Sequence, residues 1–411
     1  MLKIINNFID KKGFYVFGSS LISKLCSFFT SIILIRVLSP QDFGVLSYAL
    51  SSLAFFIPFS GGGMQHSFLR FASLSKEIEY RNSLFFISLY RGLILSLGVF
   101  ILLYFCIPWL CSSWPYSEKY FYVLGFYLFG FFMIDLVKNR FRVENNNKTY
   151  ASIEAIYALI VFIFGGLMAY LFGALAYLLV LVSVPILIGL FYLNTSTTSL
   201  VQIPDNYISY GLWVGIGAIA SQLMYSLDIF LIGRILQDSQ QVALYKTASI
   251  IPIALFFIPN SYISTHYTDL SKNYSNKIFL QTFTNGYIRI FSIIGIILCC
   301  ILFLSSEFII ELFFGKSYLD AIPSFKILVF GMMGAFILRI PFGNILAAVG
   351  KSKWNAVVSF VMLLLNGFLN YFAITIWGIK GAAIVTSLLF WLSGLISFLL
   401  YLYYIKKFTD L

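Results

Sequence analysis

The sequence predicts an all-α integral membrane protein of about twelve transmembrane helices in two pseudo-symmetric six-helix bundles. Three observations carry that prediction. Of 411 residues, 60% are hydrophobic and 10% charged, and the mean hydropathy of +0.92 lies far above that of a water-soluble domain. Twelve apolar runs reach roughly twenty residues or more, the length a helix needs to cross the hydrocarbon core. Finally, Phe55-Phe56-Ile57-Pro58-Phe59-Ser60 returns as Phe256-Phe257-Ile258-Pro259-Asn260-Ser261, five of six residues identical and 201 positions later.

The first run, Phe14 to Val37, is too long for a cleavable signal and no small-residue cleavage site follows it, so it reads as a retained span. Only Leu38 to Asp42 separates it from Phe43 to Met64, which carries Pro58. Leu84 to Trp109, Tyr120 to Phe141 and Tyr150 to Phe172 follow, and Gly173 divides the last from Ala174 to Leu193. The polar stretch NTSTTSLVQIPDN, closed by Pro204, then suits an inter-lobe linker. The second set comprises Tyr207 to Ile235, Val242 to Tyr262 with Pro259, Ile290 to Phe308, Ser324 to Val349, Trp354 to Trp377 and, beyond Gly378, Ile379 to Tyr404. The expected domains are residues 1–193, a linker at 194–206, and residues 207–411. An offset of 198 sets Arg36 on Arg234, Ser51 on Ser249 and Arg91 on Arg289, which supports a duplication. Six spans per half is an even number, so both halves point the same way. Pro58 and Pro259 predict helix kinks at matching places, because proline frees backbone groups that neighbours must satisfy.

Lys and Arg near span ends stay cytoplasmic, and sixteen of the twenty-seven fall in one set of connections, from Lys3, Lys11 and Lys12 to Lys406 and Lys407. The opposite set holds only Lys119, Lys316 and Lys380. Both termini are therefore expected in the cytoplasm. Reporter fusions at Lys76, Lys148, Lys277 and Lys407 should read cytoplasmic, and fusions near Asp42, Lys119 and Lys316 external. A cytoplasmic reading at both Lys277 and Lys316 would break the duplicated architecture. The net charge of +11 reports this topology and attraction to acidic lipid heads, with no nucleic-acid partner. The five cysteines form no Cys-x-x-Cys pair and read as core residues.

Charge in the wrong solvent marks function. Lys24, Arg36, Arg91, Arg234, Lys246, Arg289, Lys326 and Arg339 lie in or at the ends of spans, against Asp135, Glu154 and Asp228, with Glu307 and Glu311 near the outer end of the ninth. Cations outnumber acids, which favours an anionic passenger. Long basic side chains near span ends also snorkel or pair locally, the plain alternative for Arg91, Arg289, Lys326 and Arg339. Lys24 shares one helix face with Ser20, Ser27 and Ser31, and the seventh span mirrors it with Gly217, Ser221, Tyr225 and Asp228. Small residues alone would mean close helix packing; adding a lysine and an aspartate makes a cavity wall.

The run ILIRVLSPQDFGVLSYALS from Ile33 to Ser51, SLDIFLIGRIL from Ser226 to Leu236, and the turns at Asn147-Lys148-Thr149-Tyr150 and Gly350-Lys351-Ser352-Lys353 resemble the Wzx-type O-antigen flippases of the polysaccharide transporter family. That family belongs to the multidrug/oligosaccharidyl-lipid/polysaccharide exporter superfamily. The resemblance implies a MATE-like pair of six-helix lobes and a passenger of undecaprenyl-pyrophosphate-linked oligosaccharide, moved from the cytoplasmic to the outer leaflet for O-antigen or capsule assembly. It implies a cationic cavity where Lys24, Arg36, Arg234 and Lys246 bind substrate and Asp228 is a candidate for ion coupling, and a polysaccharide polymerase and chain-length regulator as partners. Tyr48, Trp213, Tyr225 and Tyr245 are candidate sugar-stacking residues, although belt and core roles are the default in a chain that is 19% aromatic.

A drug or metabolite antiporter of the same superfamily is the nearest rival, but it would need an acid-dominated site. A polymerase or glycosyltransferase would need large outer loops, and Leu38 to Asp42 is too short to build one. Gly350-Lys351-Ser352 is no nucleotide loop, because Ile345 stands where the first glycine is required. No enzyme activity, cofactor or metal site is expected, and His66 and His266 read as interfacial.

Overall fold

The structure is a computed structural model that describes residues 13–112, 114–193 and 203–406, and those residues form helices without a strand. Among them, ten helical stretches are long and apolar enough to cross a membrane. Helices begin before the apolar runs do, because polar caps rather than hydropathy set their starts. Ser39 caps Pro40–Leu53 by accepting from the Asp42 N–H, Asn146 caps Asn147–Ile160 through the Thr149 N–H, and Asn276 caps Lys277–Leu304 through the Phe279 N–H. The ninth span accordingly starts well ahead of Ile290 and ends at Leu304. Glu307 and Glu311 sit on a separate short helix, Ser306–Phe313, where Glu311 meets Lys316 at 3.7 Å.

The two glycines expected to divide close-set spans both carry left-handed backbone: Gly173 at φ 81 and Gly378 at φ 58. At Gly378, inside the helical stretch Ser352–Lys406, the conformation reverses the chain so tightly that a Cβ on Gly381 would overlap the Ala373 carbonyl. Helix therefore continues on both sides of a turn only glycine makes without strain.

The chain divides into two compact units, residues 1–219 and 220–411, with the division inside the helix Tyr207–Leu236. In the first unit Glu118–Val143 is the central helix, packed on Ile78–Leu110 and Ala174–Phe191. Phe121, Leu124, Leu128, Phe132 and Leu136, spaced three, four, four and four, are fully buried along its length. Gly13–Val37 packs on Asn147–Ile160. In the second unit Ile322–Gly334 and Ile340–Ala348, joined by a π-helical turn at Ala335–Arg339, pack on Ser352–Lys406. Gly331 and Gly334 bring the Ser387 and Trp391 side chains close, the small-residue contact expected between helices in lipid.

Both halves interrupt a helix at the repeated motif, each break including or closely preceding the proline. In the first half Pro58 lies in a 3-10 segment, Ile57–Gly63, and Ser60 is extended while Gly61, Gly62 and Gly63 are left-handed before helix resumes at Met64–Leu74. In the second half the interruption falls at Phe256, and Pro259 is the third residue of the helix Phe257–Lys272.

Candidate functional site

Asp228 lies near the end of Tyr207–Leu236 and is 3% exposed. Gln237, left-handed at φ 53, then turns the chain, and Asp238 caps the next helix, Ser239–Leu255, by accepting from the Gln240 and Gln241 N–H groups. This tight turn returns Tyr245 to Asp228, and the tyrosine hydroxyl donates to Asp228 Oδ2 at 2.6 Å. Asn366 and Asn370, one helical turn apart before Gly378, donate their amides to Oδ1 at 3.0 and 2.8 Å. Thr386, after the reversal, donates to Oδ2 at 2.5 Å. Four neutral donors from three helices thus occupy one buried carboxylate.

An ionised carboxylate away from water is expensive unless hydrogen-bonded, and each bond to a charged group contributes about 1.5–3 kcal/mol. The four donors reduce that cost without a cation. Among the described residues no salt bridge involves this aspartate. Two further features mark the place as more than a structural knot. Asn370 Oδ1 is buried with no hydrogen-bond partner, although its Nδ2 also donates to Asn366 Oδ1 at 3.2 Å. Beside the carboxylate lies a cavity of ≈ 20 Å³, lined in part by Asp228, Tyr245, Ser249, Pro252, Phe256 and Thr386. That volume admits about one water or a small ion and excludes a sugar or a drug. The carboxylate and hydroxyl oxygens lining such a cavity suit the uptake of a proton or a small hard cation.

Lys24 is exposed on Gly13–Val37, with Ser27 also exposed on its stripe. Arg36 and Arg234 occupy the last turns of Gly13–Val37 and Tyr207–Leu236, where a cation complements the helix dipole; Arg36 is exposed and Arg234 half-buried. Lys246 is half-buried, one residue after Tyr245. Lys24 and Arg36 belong to the first unit, Arg234 and Lys246 to the second. Tyr48 is 1% exposed, its ring set edge-on against Trp114 and Phe121 and its hydroxyl donated to the Leu110 carbonyl at 3.0 Å. That packing leaves no ring face for a sugar in this conformation, and Tyr245 is likewise buried against Asp228. The side chains of Trp213, Gly217, Ser221 and Tyr225 lie outside the described residues, as do Lys3, Lys11, Lys12, Lys407 and most of the 194–206 stretch. Arg339 pairs locally with neutral groups, Asn355 at 2.7 Å and Ser359 at 2.7 Å, while the Lys326 ammonium sits 4.8 Å from the Phe303 ring centre. Glu154 pairs with Lys138 at 3.8 Å.

Asn366, Asn370 and Thr386 escape a reading that surveys charge. The available signal is two asparagines spaced i, i+4 in the otherwise apolar run LLLNGFLNYF.

This fold is that of the multidrug/oligosaccharidyl-lipid/polysaccharide exporter superfamily. A solved inward-facing multidrug resistance MATE family transporter of that superfamily is similar at a TM-score of 0.77 and 16% identity, over 94% of this chain and 96% of the other. The lipid II flippase MurJ in an inward closed conformation is similar at 0.75 and 14% identity, over 95% and 88%. The chain belongs to the polysaccharide biosynthesis protein family, whose family model matches residues 33–323. A Shigella flexneri protein named "Putative O-antigen transporter" is 29% identical over 183 residues, 44% of this chain and 42% of that protein, so the match spans less than half the length of this curated relative.

Proposed function

We propose that this chain flips an undecaprenyl-pyrophosphate-linked oligosaccharide from the cytoplasmic to the outer leaflet of the bacterial inner membrane by alternating access, as a step in surface polysaccharide assembly. Membership of a polysaccharide biosynthesis family on a fold shared with a lipid II flippase carries this reading. The physical chemistry agrees with it. A pyrophosphate leaving the aqueous interface needs compensating cations, supplied by Lys24 and Arg36 in one half and Arg234 and Lys246 in the other. The polyprenyl tail stays in lipid while the head crosses. Two six-helix lobes provide the alternation.

Asp228 serves coupling rather than passenger binding in this scheme, because the space beside it matches a water or a small ion. Taking up a proton or a small cation changes the charge that Tyr245, Thr386, Asn366 and Asn370 surround, and so changes the packing of three helices. The antiporter alternative shares that coupling but lacks an acid-rich site for a cationic drug. Mass spectrometry of a strain lacking this chain should find undecaprenyl-linked oligosaccharide accumulating on the cytoplasmic side. An unchanged lipid-linked pool with normal surface polysaccharide would rule the reading out.

A further inference from the structure

The unwound backbone at Ser60 to Gly63 has a partner that gives it a purpose. Three successive left-handed residues, Gly61 at φ 66, Gly62 at φ 55 and Gly63 at φ 74, open the helix between Pro40–Leu53 and Met64–Leu74. Irregular backbone at membrane depth is tolerated only where protein satisfies it. Here the Gly61 N–H donates to Ser96 Oγ at 2.9 Å and Ser60 Oγ donates to the Leu128 carbonyl at 2.6 Å. The Phe132 ring lies on Gly61 and Leu95 lies on Gly62, so those two glycines are covered by the first unit's own core. Gly63 is covered by backbone: a Cβ on it would overlap the carbonyl of Gly211, and a Cβ on Gly211 would stand 2.6 Å from the Gly63 carbonyl oxygen and 2.5 Å from Ser67 Oγ. Two glycines thus let the start of Tyr207–Leu236 approach the opened turn main chain to main chain.

The contacts around that approach form a socket. Ser67 Oγ donates to the Tyr207 carbonyl at 2.6 Å, and the Tyr207 and Ser88 hydroxyls share a hydrogen bond. Phe71 packs on Tyr207 at 5.3 Å and on Tyr210 at 5.9 Å, and the Arg70 guanidinium lies 5.1 Å from the Tyr210 ring centre. Tyr207 is fully buried. Every one of these residues lies within the first compact unit, although the helix they grip continues about five turns to Asp228 in the second.

We propose that Tyr207 and Gly211 dock the helix bearing Asp228 permanently on the opened turn at Gly63, so that its first turns travel with the first unit throughout transport. Tyr207 is on this view a positioning residue, acting on the passenger only through the helix it holds. The inference rests on the alternating-access reading and adds to it that the mechanical boundary lies beyond Gly211, inside a helix, rather than in the polar stretch before it.

The test uses the full-length chain with its five native cysteines replaced, exporting polysaccharide in cells, and carrying both Phe71→Cys and Tyr210→Cys, a pair that faces across the same contact without disturbing its glycines. Oxidation should form the disulfide, seen by mass, and export should continue at the rate of the reduced protein. Export that stops on oxidation and returns on reduction would overturn the proposal, since the joint must then open. Failure of the two thiols to cross-link would overturn it as well. Export by the cysteine-free parent tests the underlying reading separately, and cross-linking is read whether or not that parent transports. If the pair is poorly made, Tyr207→Ala and Tyr207→Phe decide. At normal abundance the alanine variant should lose at least tenfold in maximal transport rate with the half-saturating substrate concentration unchanged, and the phenylalanine variant should recover most of it, because ring and carbonyl both remain. A wild-type rate for Tyr207→Ala would contradict docking.

Discussion

Asp228→Asn should abolish any stimulation of transport by an imposed proton or sodium gradient in reconstituted vesicles, while lipid-linked oligosaccharide still binds. The substitution keeps shape and removes charge. Tyr245, Thr386, Asn366 and Asn370 all donate to the native carboxylate. An amide replaces one acceptor oxygen with a donor, so at least one of those partners loses its acceptor, at a cost of about 1–3 kcal/mol for a buried group left unsatisfied. The site then has neither the charge to take up a proton or cation nor a reason to repack when one arrives. The ratio of flipping rates with and without a gradient is expected to fall to one. Wild-type gradient dependence in this variant would place coupling elsewhere, and loss of folded protein would make Asp228 a structural hub, since buried polar networks also fix register without transporting anything.

The second large effect concerns the cations. A chain carrying both Lys24→Ala and Arg234→Ala should reach normal membrane abundance and lose at least tenfold in polysaccharide export. Lys24 is exposed on a polar stripe of an otherwise apolar span, where insertion of a lysine costs about 2.5–3.5 kcal/mol at mid-depth. Removing it should therefore not weaken the fold, and what is lost is attraction for a diphosphate. Arg234 is half-buried in a last helical turn, where a cation's interaction with the helix dipole is worth about 0.3–1 kcal/mol. Lys24→Arg should retain activity, because charge matters more than fork geometry for a mobile passenger. Full export by the double variant would remove the cationic cavity from the account.

Much of this architecture is legible in the sequence because lipid permits few solutions: a spanning segment must be long, apolar and internally hydrogen-bonded. Gly173 and Gly378 are also readable, as the only residues that could turn two adjoining apolar runs. The break in the second span is legible at Pro58, but its left-handed core is not. Proline is the louder signal at Pro58, but its fixed φ fits the first positions of a helical turn, whereas the left-handed backbone falls on Gly61, Gly62 and Gly63. At the site, Asp228 is legible as a charge on a helix face. Asn366, Asn370 and Thr386 are not, because neutral polar residues are tolerated singly in apolar runs and these converge only after Gly378 reverses the chain. Tyr48 and Tyr245 look available to sugars in a sequence; their burial is a property of tertiary packing that no local pattern carries.

The central claim is that this chain moves a lipid-linked oligosaccharide across a bilayer. Its most direct test is flipping in vesicles reconstituted with the purified protein and undecaprenyl-pyrophosphate-linked oligosaccharide from the source cell, with the sugar on the outer face followed over time by an impermeant lectin or oxidant. The account predicts exchange of sugar between leaflets that requires the protein and slows strongly in the chain carrying both Lys24→Ala and Arg234→Ala. Exchange no faster than in protein-free vesicles, together with gradient-driven uptake of a cationic drug by the same preparation, would contradict it.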